Sequence, residues 1–503
     1  MTEPVVRMTA AHVLAHRDGD HVLVSDGEIV YRGTRILHAG RGWGGPVDET
    51  IDCGDALIMP GFIDLDALAD IDHALLDSWA TPDLAVGQQW SADYFRSRRR
   101  DVFDPPERAV IREYALSQLL RHGVTTFMPI ASESHSEWAE TYDDMVEVAR
   151  IAERLGIRGY LGPAYRSGVN VVDGGRRSVL FDEERGRAGL RDAERFLDYA
   201  ADHGGDLVHG ALLPCRIETL TRELMAATAQ LAVARDTVVR LHCMQGEVEL
   251  ALLDESYGMR PVELLETSGL LETRLLVPHG IHLGAPGGQG GQADLRRLAE
   301  AGVTIVHCPM TSIRYGAVLE SYDRYRTAGV HLALGTDSFP PDLVRGIDYG
   351  THLAKRADGS LSAGATADYI RSATIGGARA LGRPDLGRLQ PGASADFIVV
   401  DLADFAMGVR DDPLRTLTMN GSARDVRRTV VAGSTVMVDG VVLGADQSRL
   451  QAHAQVLFER MRAAYSERDH RRRPSAELFP PTFPDITKTT KTTTPKGYSH
   501  DQS

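Results

Sequence analysis

Pro60-Gly61-Phe62-Ile63-Asp64-Leu65-Asp66-Ala67-Leu68-Ala69-Asp70-Ile71-Asp72-His73 decides how the chain is read. It opens on a turn, Pro60-Gly61, and enters a short apolar strand at Phe62 and Ile63. It then becomes polar, with four aspartates and one histidine. Side chains on a strand alternate with period 2, so positions 66 and 68 face the same way. Asp66 offers a carboxylate there and Leu68 an isobutyl group.

Outward from this strand, apolar runs alternate with helix-like runs as far as about residue 382. Gly123 to Pro129, Ile157 to Gly162, Leu207 to Leu213, Val238 to His242, Leu275 to His279, Val303 to Pro309 and Val330 to Asp337 read as strands. Pro106 to His122 and Glu137 to Leu155 read as helices between them. With the Phe62 strand this gives eight strands in βαβ order, which predicts a parallel α/β fold, a (β/α)8 TIM barrel. Residues 1–59 hold only short strands. Val22 to Ser25, Asp26-Gly27 and Glu28 to Tyr31 suggest a hairpin about a D-G turn. Strands return at Ala395 to Val400, Val426 to Val431 and Thr435 to Val438, followed by a helix over 448–469. The end, Thr487 to Ser503, is rich in Thr, Lys and Ser without periodicity and reads as disordered.

The 503 residues suit one large barrel with an accessory domain, and 43% hydrophobic residues fill a large core. A net charge of −15 argues against nucleic acid and anionic membranes as partners. Cys53, Cys215, Cys243 and Cys308 are scattered without a CxxC, so a reducing cytoplasm is the expected setting. The N-terminus shows no signal peptide, and no run of about 18 apolar residues predicts a membrane span.

In a parallel barrel, reactive groups sit at the C-terminal ends of strands. His242 ends the fifth strand, His279 the sixth and Asp337 the eighth. A lone strand-end histidine is more often structural, but three such groups together point to a site. Two further features admit plainer readings. Arg96, Arg98, Arg99 and Arg100, beside Trp90, Tyr94 and Phe95, could meet an anionic substrate or a neighbouring subunit; a solvated helix face is the plainer reading. Gly284 to Gly291 lacks the Lys-Ser/Thr of a phosphate loop and reads as a strand-end loop beside the site.

Over roughly residues 20 to 445 the chain resembles the amidohydrolase superfamily, in its chlorohydrolase/deaminase branch. PGFID at Pro60 to Asp64, ADFIVVD at Ala395 to Asp401, VHCP at Val306 to Pro309 and the segment from Tyr257 to Leu283 carry the resemblance. It implies that the N- and C-terminal strands build one composite β-sandwich. The domains are then 1–59 and 386–445 for the sandwich, 60–385 for the barrel, and 446–503 for a C-terminal helix and tail. It also implies that His242 is a metal ligand, that His279 touches the metal or the reacting group, and that Asp337 binds metal and takes a proton from water.

Departures from that pattern are as informative. The family's first strand reads PGFIDxHxH, and here Asp66 and Leu68 stand at the two histidines. Gln245 stands where the branch has a proton-shuttling glutamate, and Gln cannot carry a proton. Glu247 could substitute, or be only a solvated helix start. Thr311 and Ser312 stand where the branch shows Ser-Asn. The ligand set is then Asp66, His242 and Asp337, with His279 in reserve. Such an oxygen-rich set predicts one divalent ion, Zn, Mn, Fe or Mg, held weakly or not at all. Asp72 and His73 read as loop-capping or substrate-contact residues, and Asp70 has no assigned role.

The expected function is hydrolysis of a C–N bond, by deamination or amide cleavage, in a small nitrogen-rich or cyclic substrate. Asp337 would be the general base and His279 would polarise the oxyanion. The alternatives are a catalytically silent binding or assembly barrel, and a lyase or isomerase using Asp337 and His279 as an acid–base pair. Barrels of this kind commonly pair, so a homodimer or higher homo-oligomer is expected.

Overall fold

The computed structural model describes residues 3–71, 90–130, 138, 140–283 and 291–485. Asp72, His73, residues 284–290 of the glycine-rich segment and the Thr487 to Ser503 tail lie outside the described residues.

Eight parallel strands form two four-stranded sheets. The first sheet holds Phe62–Leu68, Val124–Ile130, Arg158–Leu161 and Val208–Gly210, paired in that order. The second holds Val238–Arg240, Arg274–Pro278, Thr304–His307 and His331–Leu334. The sheets meet at both edges. The Leu212 N–H donates to the Val238 carbonyl and the Arg240 N–H to that of Leu212, each at 3.0 Å. On the other side the Asp337 N–H donates to the carbonyl of Asp66 at 2.8 Å. Ile63, Leu65, Met128, Tyr160, Leu213, Val238, Leu276, Val306 and Ala333 form one buried cluster drawn from seven of these strands and from Leu213, three residues past the fourth. Phe62, Ala67 and Phe127 instead join the larger cluster with helix residues such as Leu116 and Met145. Strand side chains thus face a common interior on one side and helices on the other, a TIM-barrel-like α/β arrangement.

Both chain ends enter one nine-stranded sheet. Ala56–Pro60 pairs antiparallel with Phe397–Asp401, joining the N-terminal strands to the C-terminal ones. The expected hairpin at Asp26-Gly27 is not formed; Asp20–Arg32 runs through it as one strand. The hairpin turn is the other D-G pair, Asp18-Gly19, with φ values of 50° and 87°. Both are positive, as a two-residue primed turn requires. Gly27 serves a close approach instead: a Cβ there would lie 2.8 Å from Val13 Cγ2. A second unforeseen hairpin, Gly168–Asp173 with Arg176–Phe181, turns at Gly174-Gly175.

The arginine run meets its own chain rather than a ligand. Arg96 pairs with Asp173, Arg98 with Asp93, Arg99 with Asp101 and Arg100 with Glu467. Glu467 lies on the helix Gln447–Arg468, which packs Leu457, Met461 and Tyr465 against Trp90, Phe103 and Ile111. Asp70 is likewise structural: its carboxylate is 3.4 Å from Arg112, which also bonds Glu140 at 2.6 Å.

One buried ion pair locks the parallel strands to the nine-stranded sheet. Arg158 meets Asp396 at 3.0 Å with both side chains almost fully enclosed. Asp396 also accepts from the Ser394 hydroxyl at 3.0 Å and the Ala432 N–H at 2.6 Å. Removing one partner leaves a buried charge uncompensated. Asp396→Ala is therefore expected to lower the unfolding free energy by about 3–5 kcal/mol, measured by denaturant titration. A loss below about 1 kcal/mol would show that the pair is not needed for docking the two parts.

Candidate functional site

The first strand delivers Asp66 through an irregularity. Asp64 pairs with Phe127, but Ala67 pairs with Pro129, so one extra residue is accommodated in between. A bulge of this kind re-aims a side chain. Asp66 is fully buried and turns to the fifth strand. Asp64 fastens the first strand to the eighth, accepting from the Thr336 hydroxyl at 2.6 Å and N–H at 3.1 Å. Burial pushes the Asp64 carboxyl up to about 7. Leu68 stays in the strand, buried and paired with Ile130.

Val238, Arg240 and His242 alternate along the fifth strand segment. The His242 side chain is 12% exposed. Its Nδ1 lies 3.0 Å from the Cys215 carbonyl. A carbonyl only accepts, so Nδ1 carries the hydrogen, and Nε2 lies 3.4 Å from Asp66 Oδ1. Such a bond fixes the tautomer and ring plane that a metal ligand needs.

His279 follows the sixth strand with φ 70°. Its Nε2 is 3.5 Å from Asp337 Oδ2 and has no hydrogen-bond partner among the described residues. Burial pushes its imidazole well below the usual 6.5, and the neighbouring His242 adds to the shift. Asp337 sits beyond the eighth strand at φ 44°. Its N–H is anchored on Asp66, and its carbonyl accepts from the Thr311 hydroxyl at 3.0 Å.

Asp66, His242, His279 and Asp337 each offer one donor atom within 4.8 Å of the others. Two imidazoles and two carboxylates in a buried place, one nitrogen left unbonded, could hold a divalent ion. The group that the sequence reading missed is Arg240. It is 2% exposed and donates from Nη1 to Asp66 Oδ1 at 3.1 Å and to the Pro129 carbonyl at 2.8 Å. Burial alone would raise the Asp66 carboxyl; His242, Arg240 and His279 outweigh it and hold it well below the usual carboxylate range. The signal for Arg240 was its position two residues before His242 on an alternating strand.

A cavity of about 520 Å³ opens above these groups, lined by His242, His279 and Asp337 among others. Gln245 lines it, its side-chain carbonyl held by Arg216. Glu247 is exposed at the first turn of the helix Glu247–Tyr257 and reaches the cavity rim. Two carboxyls not singled out from sequence lie deeper. Glu249 is buried and accepts from the N–H groups of Met244 at 2.6 Å and Gln245 at 2.9 Å. Burial, then the charge of Glu218, pushes its carboxyl up to about 8. Glu218 is held by Asn170 at 2.9 Å, and its Oε2 has no partner among the described residues. Only Val248 separates Glu249 from Glu247 in sequence, and only the fold decides which is enclosed. Ser312 also lines the cavity.

A model of the amidohydrolase family matches residues 57–436. A 5-methylthioadenosine/S-adenosylhomocysteine deaminase of Pyrococcus horikoshii is 27% identical over 84% of this chain and 93% of its own length. An 8-oxoguanine deaminase of Pseudomonas aeruginosa is 28% identical, over 86% and 92%. Among solved structures, a zinc-bound adenosine deaminase from Xanthomonas campestris matches with TM-score 0.73 at 21% identity, covering 91% of this chain and 98% of that one. A zinc complex of an atrazine chlorohydrolase from Arthrobacter aurescens gives 0.74 at 22%, covering 90% and 100%. No helix among the described residues is long and apolar enough to cross a membrane.

His307, at the end of the seventh strand, gives a pH test. It lies beside the stacked pair Tyr322 and Tyr369, 6.1 Å from each ring, and burial pushes its imidazole down to about 3. Unfolding returns it to about 6.5, so between these values the unfolded chain binds the extra proton. Its contribution is therefore lost as pH falls. Relative to His307→Phe, the wild type should lose about 1.4 kcal/mol of stability per pH unit below about 6, read from denaturant melts at several pH values. A pH-independent difference between the two proteins would show that His307 is protonated in the folded state.

Proposed function

Because the chain belongs to the amidohydrolase family, we propose that it hydrolyses a C–N bond, by deamination, in a small nitrogen-rich substrate. The observation that carries this is the meeting of His242, His279 and Asp337 on one wall of a cavity of about 520 Å³. That volume suits a small heterocycle rather than a polymer. The deaminase relatives, each covered over most of its length, act on molecules of this class by their names. On the same reading, residues 60–385 form a closed (β/α)8 barrel, with 1–59 and 386–445 as one composite β domain and 446–503 as a C-terminal extension.

A divalent ion, when bound, would lower the pKa of a water and polarise the reacting carbon. His242, His279 and Asp337 would hold it. Asp337 takes the proton from the attacking water with its remaining oxygen. His279 stays neutral because burial disfavours its charged form, so its nitrogen remains available. Gln245 and Arg216 orient the substrate without carrying protons. The buried Glu249 carboxyl, raised to about 8, holds a proton at neutral pH beside the cavity. It is better placed than the exposed Glu247 to return one to the leaving nitrogen.

Ammonia release from a panel of aminopurines, aminopyrimidines and aminotriazines tests the reading. Asp337→Asn is expected to lower turnover of any accepted substrate by at least about 10²–10⁴-fold, because Asn cannot take the proton. Full activity in that variant would remove Asp337 from the chemistry. No ammonia from any substrate, with or without added metal, would favour a silent binding barrel. Since neither of the first-strand histidines is present, protein purified without added metal should hold well under one zinc per chain by elemental analysis. Stoichiometric zinc would restore a conventional metal site.

A further inference from the structure

The pair Asp66–Arg240 has no part in the chemistry above, yet it lies at the centre of the donor cluster. Oδ1 of Asp66 is 3.1 Å from Arg240 Nη1 and 3.4 Å from His242 Nε2. The other oxygen lies 3.7 Å from the Cys308 thiol. The guanidinium cannot swing away freely, since the same Nη1 is tied to the Pro129 carbonyl at 2.8 Å. Arginine stays charged at any working pH. An ion that took Asp66 as a ligand would have to displace this fixed positive charge from the shared oxygen and then sit beside it.

We propose that Arg240 is a built-in cation of this site: it claims Asp66 and confines any divalent ion to His242, His279 and Asp337. Asp66 is then an anchor for Arg240 and for the His242 ring, and Arg240 is a positioning residue. The inference rests on the metal reading of the preceding section and adds which carboxylate is withheld from the ion. It also gives Asp66 a reason to stand where the related pattern has histidine: a neutral imidazole could not balance a buried guanidinium.

The test is metal affinity, measured on the full chain after stripping with chelator. Cobalt(II) is followed by its visible absorption and zinc(II) by competition with a chromophoric chelator. Asp66→Asn keeps an acceptor oxygen for Arg240 and should weaken binding by no more than about tenfold, whereas His279→Ala and Asp337→Ala should each weaken it by about a hundredfold or more. Arg240→Met releases the Asp66 carboxylate and should tighten binding by about tenfold or more, with a changed cobalt spectrum as an oxygen ligand is added. Should either single variant not fold, since each leaves a buried charge uncompensated, the neutral pair Arg240→Met/Asp66→Asn should fold and bind within about tenfold of wild type, and a loss there as large as in Asp337→Ala overturns the inference. A loss in Asp66→Asn as large as in Asp337→Ala overturns the inference, and so does a folded Arg240→Met no tighter than wild type. If wild type binds neither ion, a site gained in Arg240→Met supports it, and no site in either overturns it. Failure of the hydrolase reading shows instead in ammonia release, which these affinities do not report.

Discussion

A carboxylate with no access to water must be matched by a cation, and the interior of this protein is arranged around that requirement. Asp66 is fully enclosed, and its charge is matched by the Arg240 guanidinium 3.1 Å away. The desolvation cost is recovered only if the geometry is good and each remaining lone pair is used. The bulge in the first strand, the Pro129 carbonyl and the Asp337 N–H on the Asp66 carbonyl all hold that geometry. The same rule operates at the other end of the strands, where Arg158 and Asp396 bind the parallel strands to the nine-stranded sheet.

Proton traffic at the site follows from burial rather than from residue type. Gln245 occupies a position that a carboxylate would suit, but it is bonded to Arg216 and has no titratable proton. Glu249 reaches the same cavity from the next helix and is bonded to two backbone N–H groups. Those bonds favour its ionised form, yet burial and Glu218 win and keep it protonated near neutrality. A carboxyl that holds its proton near neutrality therefore lines the cavity without a glutamate at position 245. The hairpin Gly168–Asp173/Arg176–Phe181 contributes Asn170, which holds Glu218 in the cavity lining.

The arginine cluster illustrates why charge runs read poorly from sequence. Four arginines close together suggest an anionic ligand, but each finds an acidic partner in its own chain. Arg100 finds Glu467, hundreds of residues away, because the Gln447–Arg468 helix packs its apolar side on Trp90 and Phe103. Apolar burial brings the two segments together, and the ion pairs fix their register.

Hydrophobic periodicity located the eight parallel strands and the C-terminal helix, because alternation and turn residues are local properties; the joining of the N- and C-terminal strands was implied only by the family resemblance. His242, His279 and Asp337 were legible for the same reason: each closes an apolar run, and strand ends are where a parallel α/β fold places its reactive groups. The hairpin at Asp18-Gly19 was misplaced to Asp26-Gly27, since both pairs carry the same turn chemistry and only the length of the partner strand Val5–Arg17 distinguishes them. Burial and long-range pairing belong to the tertiary structure. It decided that Arg240 meets Asp66 across 174 positions of sequence. It also decided that Glu249 and not Glu247 is enclosed, and that Asp70 serves Arg112. A side chain's charge state depends on what surrounds it in space, and the linear order of residues specifies those surroundings only once the strands have come together.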